Sequence, residues 1–267
     1  MDEMVLQMRN VELENLLNKV LAEGNHVWVI GDVHGYANVL TSLIEKLALG
    51  PNDHVVLLGD MIDRGPNSCG VIDIVRDNSN IHSIKGNHED MMIRAYEEIN
   101  KRCAGVDIVV WATNGGTTTT DSFEKKFGDE AGDAMGEVTM WMRQLPSQIV
   151  LDNYRLVHAG YAPDLDMDFQ TDGEMLSIRG EFHKHDAPVD SARQVIFGHT
   201  ATHAIKTAAG ISGEKGEPFP SPVLLDDERP AWIAMETGAC QGLRHNPTLT
   251  AYDLQSTEFR CVRVFGG

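Results

Sequence analysis

Five short apolar runs in this chain stop at the same punctuation: a metal-capable side chain framed by glycine. They read HVWVIGDVHG (26–35), DHVVLLGDMIDRG (53–65), IHSIKGNHE (81–89), NYRLVHAG (153–160) and RQVIFGHT (193–200). Aliphatic runs this short, bounded by glycine and polar turns, read as buried strands. Helical periodicity follows the first three, through Leu47, near Cys69–Arg76, and from about Glu89 to Cys103. Three strand–loop–helix units in succession imply a layered α/β architecture. Ligands gather where loops project from the ends of such strands, which is where the polar residues stand.

The remaining text is consistent with one domain over residues 1–267. Leucines and valines at helical spacing (Leu13, Leu16, Leu17, Val20, Leu21) predict an opening helix over 3–23. Between about 105 and 145 the character changes to WATNGGTTTTDSF and a charged, small-residue-rich stretch, read as a helical insertion or cap over the site. A solvated flap without a catalytic part is the plainer alternative. From Ile149 strands dominate, and the final pair, LTAYDL and EFRCVRVF, reads as an antiparallel hairpin. The Gly210–Pro222 stretch, rich in glycine and proline, is expected to be a loop.

Charge narrows the function classes. With 22 basic against 40 acidic residues the net charge is −18, a field that disfavours nucleic acid and anionic membranes. It also repels a free phosphate ester, so a site for one must carry its own metals or arginines. The four cysteines (Cys69, Cys103, Cys240, Cys261) form no CxxC pair, and no apolar run is long enough to span a membrane. No basic-then-apolar leader opens the sequence. The expected setting is reducing and cytoplasmic.

The candidate metal ligands are Asp32, His34, Asp60, Asn87, His158 and His199. Each alone has an ordinary explanation: a strand-end aspartate caps a turn, a single histidine packs in a core, an asparagine after glycine turns the chain. Six of them, all at the ends of apolar strands, point to a metal centre. Carboxylate, imidazole and amide donors without sulfur suit two divalent ions, manganese foremost, with iron or zinc as alternatives. Asp60 is the best-placed carboxylate to bridge them. His88, next to Asn87, can be oriented by Asp63 and serve as a general acid. Glu89 and Asp90 are expected to cap the following helix. Arg64 offers a rigid donor fork for phosphoryl oxygens, and Arg179 can close on the same anion. Together these roles describe in-line attack on phosphorus by a water that two metals acidify. No CxxxxxR loop is present and no serine or aspartate is framed as a nucleophile, so direct hydrolysis is expected.

The ordered set GDVHG, GDMIDRG, GNHE, VHAG and FGHT resembles the phosphoprotein phosphatase family of calcineurin-like metallophosphoesterases. Within it the chain is most similar to the compact bacterial and bacteriophage serine/threonine phosphatases of the lambda type, over roughly residues 26–243. The resemblance implies a β-sandwich flanked by helices, with the metals between the sheets, in place of a doubly wound sheet. It implies that Asp32, His34 and Asp60 hold one ion, and that Asp60 bridges to a second held by Asn87, His158 and His199. It likewise implies an Asp63–His88 acid pair and phosphate binding by Arg64 and Arg179. The substrate is then a phosphorylated protein or small phosphomonoester.

The chain departs from the family pattern at Ser177, where tryptophan is usual, at Ala201, where proline is common, and at Glu236, where aspartate is usual. The excursion from Lys206 to Arg229 is longer than compact relatives require. These differences touch specificity more than the ligand set. One rival function is dinucleoside polyphosphate hydrolysis, for which Trp111, Trp141 and Tyr161 are candidate base-stacking residues. Tyr161, Phe169 and Phe182 are candidates for the entrance, with ordinary packing as the alternative for each. A non-catalytic binding module is the other rival, and it would be expected to show a broken ligand set.

Overall fold

The computed structural model describes residues 9–101, 105–212 and 215–264. Helix α1 (Val11–Ala22) is capped by the Asn10 side chain, which accepts the Leu13 N–H at 3.0 Å. The part of the expected opening helix before residue 9 lies outside the described residues. Strands β1 (Val27–Ile30), β2 (His54–Leu57) and β3 (Ile81–Ser83) alternate with α2 (Ala37–Leu47), α3 (Ser68–Asp77) and α4 (Asn87–Asn100). Helix α4 begins two residues before the expected Glu89, because the Glu89 carboxylate reaches back to accept the Gly86 N–H at 2.8 Å. Glu89 therefore caps as expected, whereas Asp90 pairs with Arg94 at 3.0 Å. Cys103, the expected end of this helix, lies outside the described residues.

The region expected as an insertion is helical in its described part. It contains α5 (Val106–Trp111), a π-helical turn (Ala112–Gly116), α6 (Thr117–Phe127) and α7 (Ala131–Met142). There follow β4 (Gln148–Val150), β5 (Tyr154–Val157), α8 (Asp172–Ser177), α9 (Gly180–His183), β6 (Gln194–Phe197) and α10 (Thr202–Ala208). The chain ends with β7 (Phe219–Pro220), β8 (Trp232–Ala234), β9 (Thr248–Asp253) and β10 (Phe259–Arg263). The stretch expected as a loop at 210–222 thus contributes a two-residue edge strand, which pairs antiparallel with β8.

The strands form two five-stranded sheets, ordered β10-β9-β1-β2-β3 and β4-β5-β6-β8-β7. Three parallel strands lead each sheet toward the site: β1, β2 and β3 in one, β5, β6 and β8 in the other. The final hairpin is antiparallel and returns to the first sheet through β9 on β1.

Alternation along the strands explains the layers. Val27, Val29, Val56 and Leu58 share a core with Leu156, Ile196 and Ile233 of the other sheet. Their neighbours Trp28, Ile30, Val55 and Leu57 face outward into a second core with the helices that flank the first sheet. On the far side Val157, Val195, Phe197 and Trp232 do the same with Met175, Phe182 and Ile205. Strands covered on both faces read as unbroken apolar runs, which is why their sequences show no polar alternation. The result is a helix-flanked pair of sheets, as the family resemblance implied, and not one doubly wound sheet.

Because Ile196 is fully buried between the sheets, Ile196→Ala is expected to cost about 2–5 kcal/mol of unfolding free energy in urea titrations. Val11→Ala, at an exposed helix position, is expected to stay within roughly 0.5 kcal/mol. Equal costs at the two positions would contradict this layering.

Candidate metal centre and active site

All six parallel strands end at the same place. Asp32 and His34 follow β1, Asp60 follows β2, Asn87 and His88 follow β3, His158 follows β5, His199 follows β6 and Glu236 follows β8. The loops are tied to each other before any ligand is considered. The Asp60 carbonyl accepts the N–H groups of Val33 (3.1 Å) and His34 (2.8 Å), and Gly198 N–H donates to the His158 carbonyl at 2.8 Å. Glu89 does more than cap α4, since its carboxylate also accepts the N–H groups of Asp60 and Met61, each at 2.8 Å.

Two clusters of donor atoms converge, and they share Asp60: His34, Asp60 and His88 in one, Asp60, His158 and His199 in the other. His34 Nε2 lies 3.6 Å and His158 Nε2 3.3 Å from the two oxygens of Asp60. Asn87 Oδ1 lies 2.9 Å from His158 Nε2 and 2.8 Å from His199 Nδ1. Asp32 borders both clusters: its Oδ2 is 3.9 Å from His34 Nε2, and its two oxygens accept His199 N–H at 3.0 and 3.1 Å. His88, read as an acid, therefore stands in the first cluster, where Asp32 was expected.

Proton bookkeeping shows that this set fits a cation. His34 Nδ1–H donates to the Ile62 carbonyl at 3.0 Å, and His158 Nδ1–H donates to the Leu58 carbonyl at 2.7 Å. Each ring therefore turns an Nε2 lone pair inward, because the carbonyl holding Nδ1–H fixes the tautomer and the ring orientation that a metal-binding histidine needs. Around His158 and Asn87 these acceptors face one another, and a cation between them satisfies all at once. The carboxylates say the same. Burial, then the charge of Asp60, pushes the Asp32 carboxyl up to about 7. Burial, then Glu89, raises Asp60, and burial, then Asp32, raises Glu236. Anions packed this closely require compensating positive charge. The His and Asp residues at these strand ends thus form a two-metal binding site.

The substrate-handling candidates stand beside it. His88 Nδ1–H donates to Asp63 Oδ2 at 2.6 Å. Arg64, exposed at the mouth, donates from Nη1 to His34 Nε2 at 2.7 Å and from Nη2 to His88 Nε2 at 2.8 Å. Arg179, also exposed, donates to Thr200 Oγ1 at 3.0 Å. Burial lowers the Arg179 pKa, opposed by the carboxylates of Asp32 and Asp60 and aided by the charge of Arg64, so the two arginines face the same space.

Several contacts had no signal in the sequence. Trp111 and Thr119 donate to the Asp63 carboxylate, and Cys240 Sγ sits 3.4 Å from Arg64 Nη1. Tyr161 and Phe182 are core residues and do not line an entrance, with the Tyr161 hydroxyl donating to Gln148 at 2.8 Å. Phe169 is exposed. No described helix is long and apolar enough to cross a membrane.

Residues 25–203, more than half of the chain, match the family described as Calcineurin-like phosphoesterase. The chain is 29% identical over 199 residues to Serine/threonine-protein phosphatase 2 of Escherichia coli, covering 69% of this chain and 84% of that protein. It is also 29% identical over 201 residues to the asymmetrical bis(5'-nucleosyl)-tetraphosphatase PrpE of Geobacillus thermodenitrificans, covering 66% and 78% respectively. A crystal structure described as a candidate diadenosine tetraphosphatase shares the fold at a TM-score of 0.59 and 18% identity, over 91% of this chain and 96% of that one.

Metal should stabilise the folded chain by mass action. Manganese at 100 times its dissociation constant is expected to add about 2.7 kcal/mol, read as a higher thermal midpoint than in chelator. An unchanged midpoint would count against a preformed site. At Gly198 an added Cβ would lie 2.1 Å from Asp32 Oδ1. Gly198→Ala is therefore expected to weaken metal affinity by about 10- to 100-fold in calorimetric titrations, and unaltered affinity would show that Asp32 has room to move.

Proposed function

Since the chain belongs to the calcineurin-like phosphoesterase family, and is a metal-dependent phosphoesterase, we propose that it acts on phosphomonoesters, as a serine/threonine protein phosphatase of the compact lambda type. The observation that carries the reading is the 2.6 Å His88–Asp63 pair, with the far nitrogen of the ring 2.8 Å from the Arg64 fork. It sets a proton carrier beside a phosphate-binding group at the edge of the metal clusters, as transfer to an alkoxide leaving group requires.

Asp32, His34 and Asp60 would hold one ion, and Asp60, Asn87, His158 and His199 the other, and the mixed oxygen and nitrogen donors would favour manganese. Two divalent ions, when bound, acidify a water and offset charge on the phosphoryl oxygens. Arg64 and Arg179 grip those oxygens from two sides. As Arg64 turns its donors to the phosphoryl group, His88 Nε2 is released and takes up a proton from solvent, becoming the imidazolium that serves as the acid. His88 delivers that proton to the departing oxygen while Asp63 holds Nδ1–H and the ring orientation. Direct hydrolysis, without a phosphoenzyme, is supported by the sequence, which has no CxxxxxR loop and frames no serine or aspartate as a nucleophile.

Dinucleoside polyphosphate hydrolysis is the second reading, favoured by the similarity to the Geobacillus enzyme. Against it, Trp111 and Tyr161 are buried, which removes two of the three candidate stacking residues. Trp141 is half-buried, with the Arg76 guanidinium 5.8 Å from its ring centre.

The deciding assay compares an aryl phosphate, its diester, a phosphoserine peptide and a dinucleoside tetraphosphate, with metal-stripped enzyme and after manganese is restored. Metal-restored turnover of the monoester and phosphopeptide is expected, with kcat reduced about 10²- to 10⁴-fold in His88→Asn. Preferential cleavage of the tetraphosphate would assign the nucleotide substrate instead.

A further inference from the structure

The helical segment 106–127 meets the catalytic region at one turn, Asp63–Arg64. Trp111 Nε1–H lies 3.1 Å from each Asp63 oxygen. Thr119 Oγ1 lies 2.6 Å from Asp63 Oδ1 and 3.0 Å from Asp63 N, and Ser68 Oγ lies 3.1 Å from that same nitrogen. The Gly115 carbonyl accepts Arg64 N–H at 3.3 Å. Gly115 itself, at φ +108°, leaves no room for a side chain, since a Cβ there would come 2.9 Å from Arg64 Cγ.

The bond directions are consistent when Ser68 Oγ, 2.9 Å from Thr119 Oγ1, is the donor of that pair. A backbone N–H only donates, so the Thr119 hydroxyl accepts from Asp63 N, and its single hydrogen points to Asp63 Oδ1. An indole N–H also only donates. Three donors, from Trp111, Thr119 and His88, therefore converge on one fully buried carboxylate; burial pushes the Asp63 carboxyl up to about 7, and the Thr119 and Trp111 hydrogen bonds, with the charge of Arg64, oppose that rise. Asp63 (φ 71°) and Arg64 (φ 67°) are also consecutive left-handed residues. Such a pair persists only where its surroundings over-determine it, and among the described residues those surroundings include the insertion.

On the premise that His88 is the general acid, we propose that Trp111 and Thr119 are positioning residues that hold Asp63, and through it the His88 ring, in line with the leaving group. The insertion is then part of the acid machinery. It is not a detachable flap.

The test is a leaving-group series of aryl and alkyl phosphates assayed on manganese-loaded wild type, Thr119→Val, Thr119→Ser, Trp111→Phe and His88→Asn. Metal affinity and thermal midpoint are measured for each. Loss of a positioned acid matters most when the leaving oxygen is basic. Thr119→Val and Trp111→Phe should therefore lose about 10- to 100-fold in kcat on alkyl phosphates, far less on p-nitrophenyl phosphate, with KM little changed. Thr119→Ser should restore the wild-type slope. If His88→Asn itself loses activity evenly across the series, the acid premise fails and the positioning role fails with it. If His88→Asn is leaving-group dependent while Thr119→Val and Trp111→Phe are even or silent, the positioning role alone is overturned. Should Thr119→Val not fold, the slope for Trp111→Phe decides.

Discussion

Asp60 is the residue on which the two sheets depend. Its carbonyl accepts two N–H groups from the loop after β1, its own N–H donates to Glu89, and its carboxylate accepts His88 N–H at 3.0 Å. Through one side chain it lies against His34, His88 and His158. A carboxylate this deeply buried is tolerable only where donors and positive charge meet it. That requirement sets how closely the loops of the first sheet approach His158 and His199 of the second. Electrostatics, more than apolar packing, fixes the geometry at this end of the molecule.

Backbone strain accumulates in the same place. His34, Asp60, Asp63, Arg64 and His199 all have φ between 46° and 71°, a left-handed conformation that costs a side-chain-bearing residue of order 1–3 kcal/mol. A fold seeking stability alone would put glycine at these positions. Here the chain keeps its ligands and gives glycine to the neighbouring positions, where close backbone approach leaves no space. Gly86 shows this: a Cβ on it would sit 2.3 Å from Asp60 Oδ1. Imidazole and carboxylate groups thereby project from tight turns on a rigid scaffold.

Most of the candidate centre is legible in the sequence, because Asp32, His34, Asp60, Asn87 and His199 each sit beside a glycine at the end of an apolar strand, with His88 and His158 one residue further from one. The structure brings Asp32, His34, Asp60, Asn87, His88, His158 and His199 to the ends of five strands, and Arg64 beside them. Less readable was what surrounds Asp63. Trp111 and Thr119 lie 48 and 56 residues away along the chain, and nothing local in WATNGGTTTT announces a partner. For Tyr161 and Phe182, open in the sequence between entrance and core, the structure takes the packing alternative. An aromatic residue near a motif looks like an entrance, yet both pack against neighbours that only the folded sheet supplies.

The sequence by itself determined the local units: which runs become strands, which turns carry metal-capable groups, and that donors of oxygen and nitrogen would dominate over sulfur. These follow from short-range physics, namely apolar periodicity, glycine at turns and the chemistry of each side chain. The Asp60 bridge was legible in the residues and the pair of sheets only through the family resemblance; the tertiary structure alone decided that His88 stands with His34 and Asp60 in one cluster and that the segment 106–127 grips the Asp63–Arg64 turn. Those outcomes depend on which surfaces are buried against each other and on charges that meet across long stretches of chain. Local pattern carries no record of either.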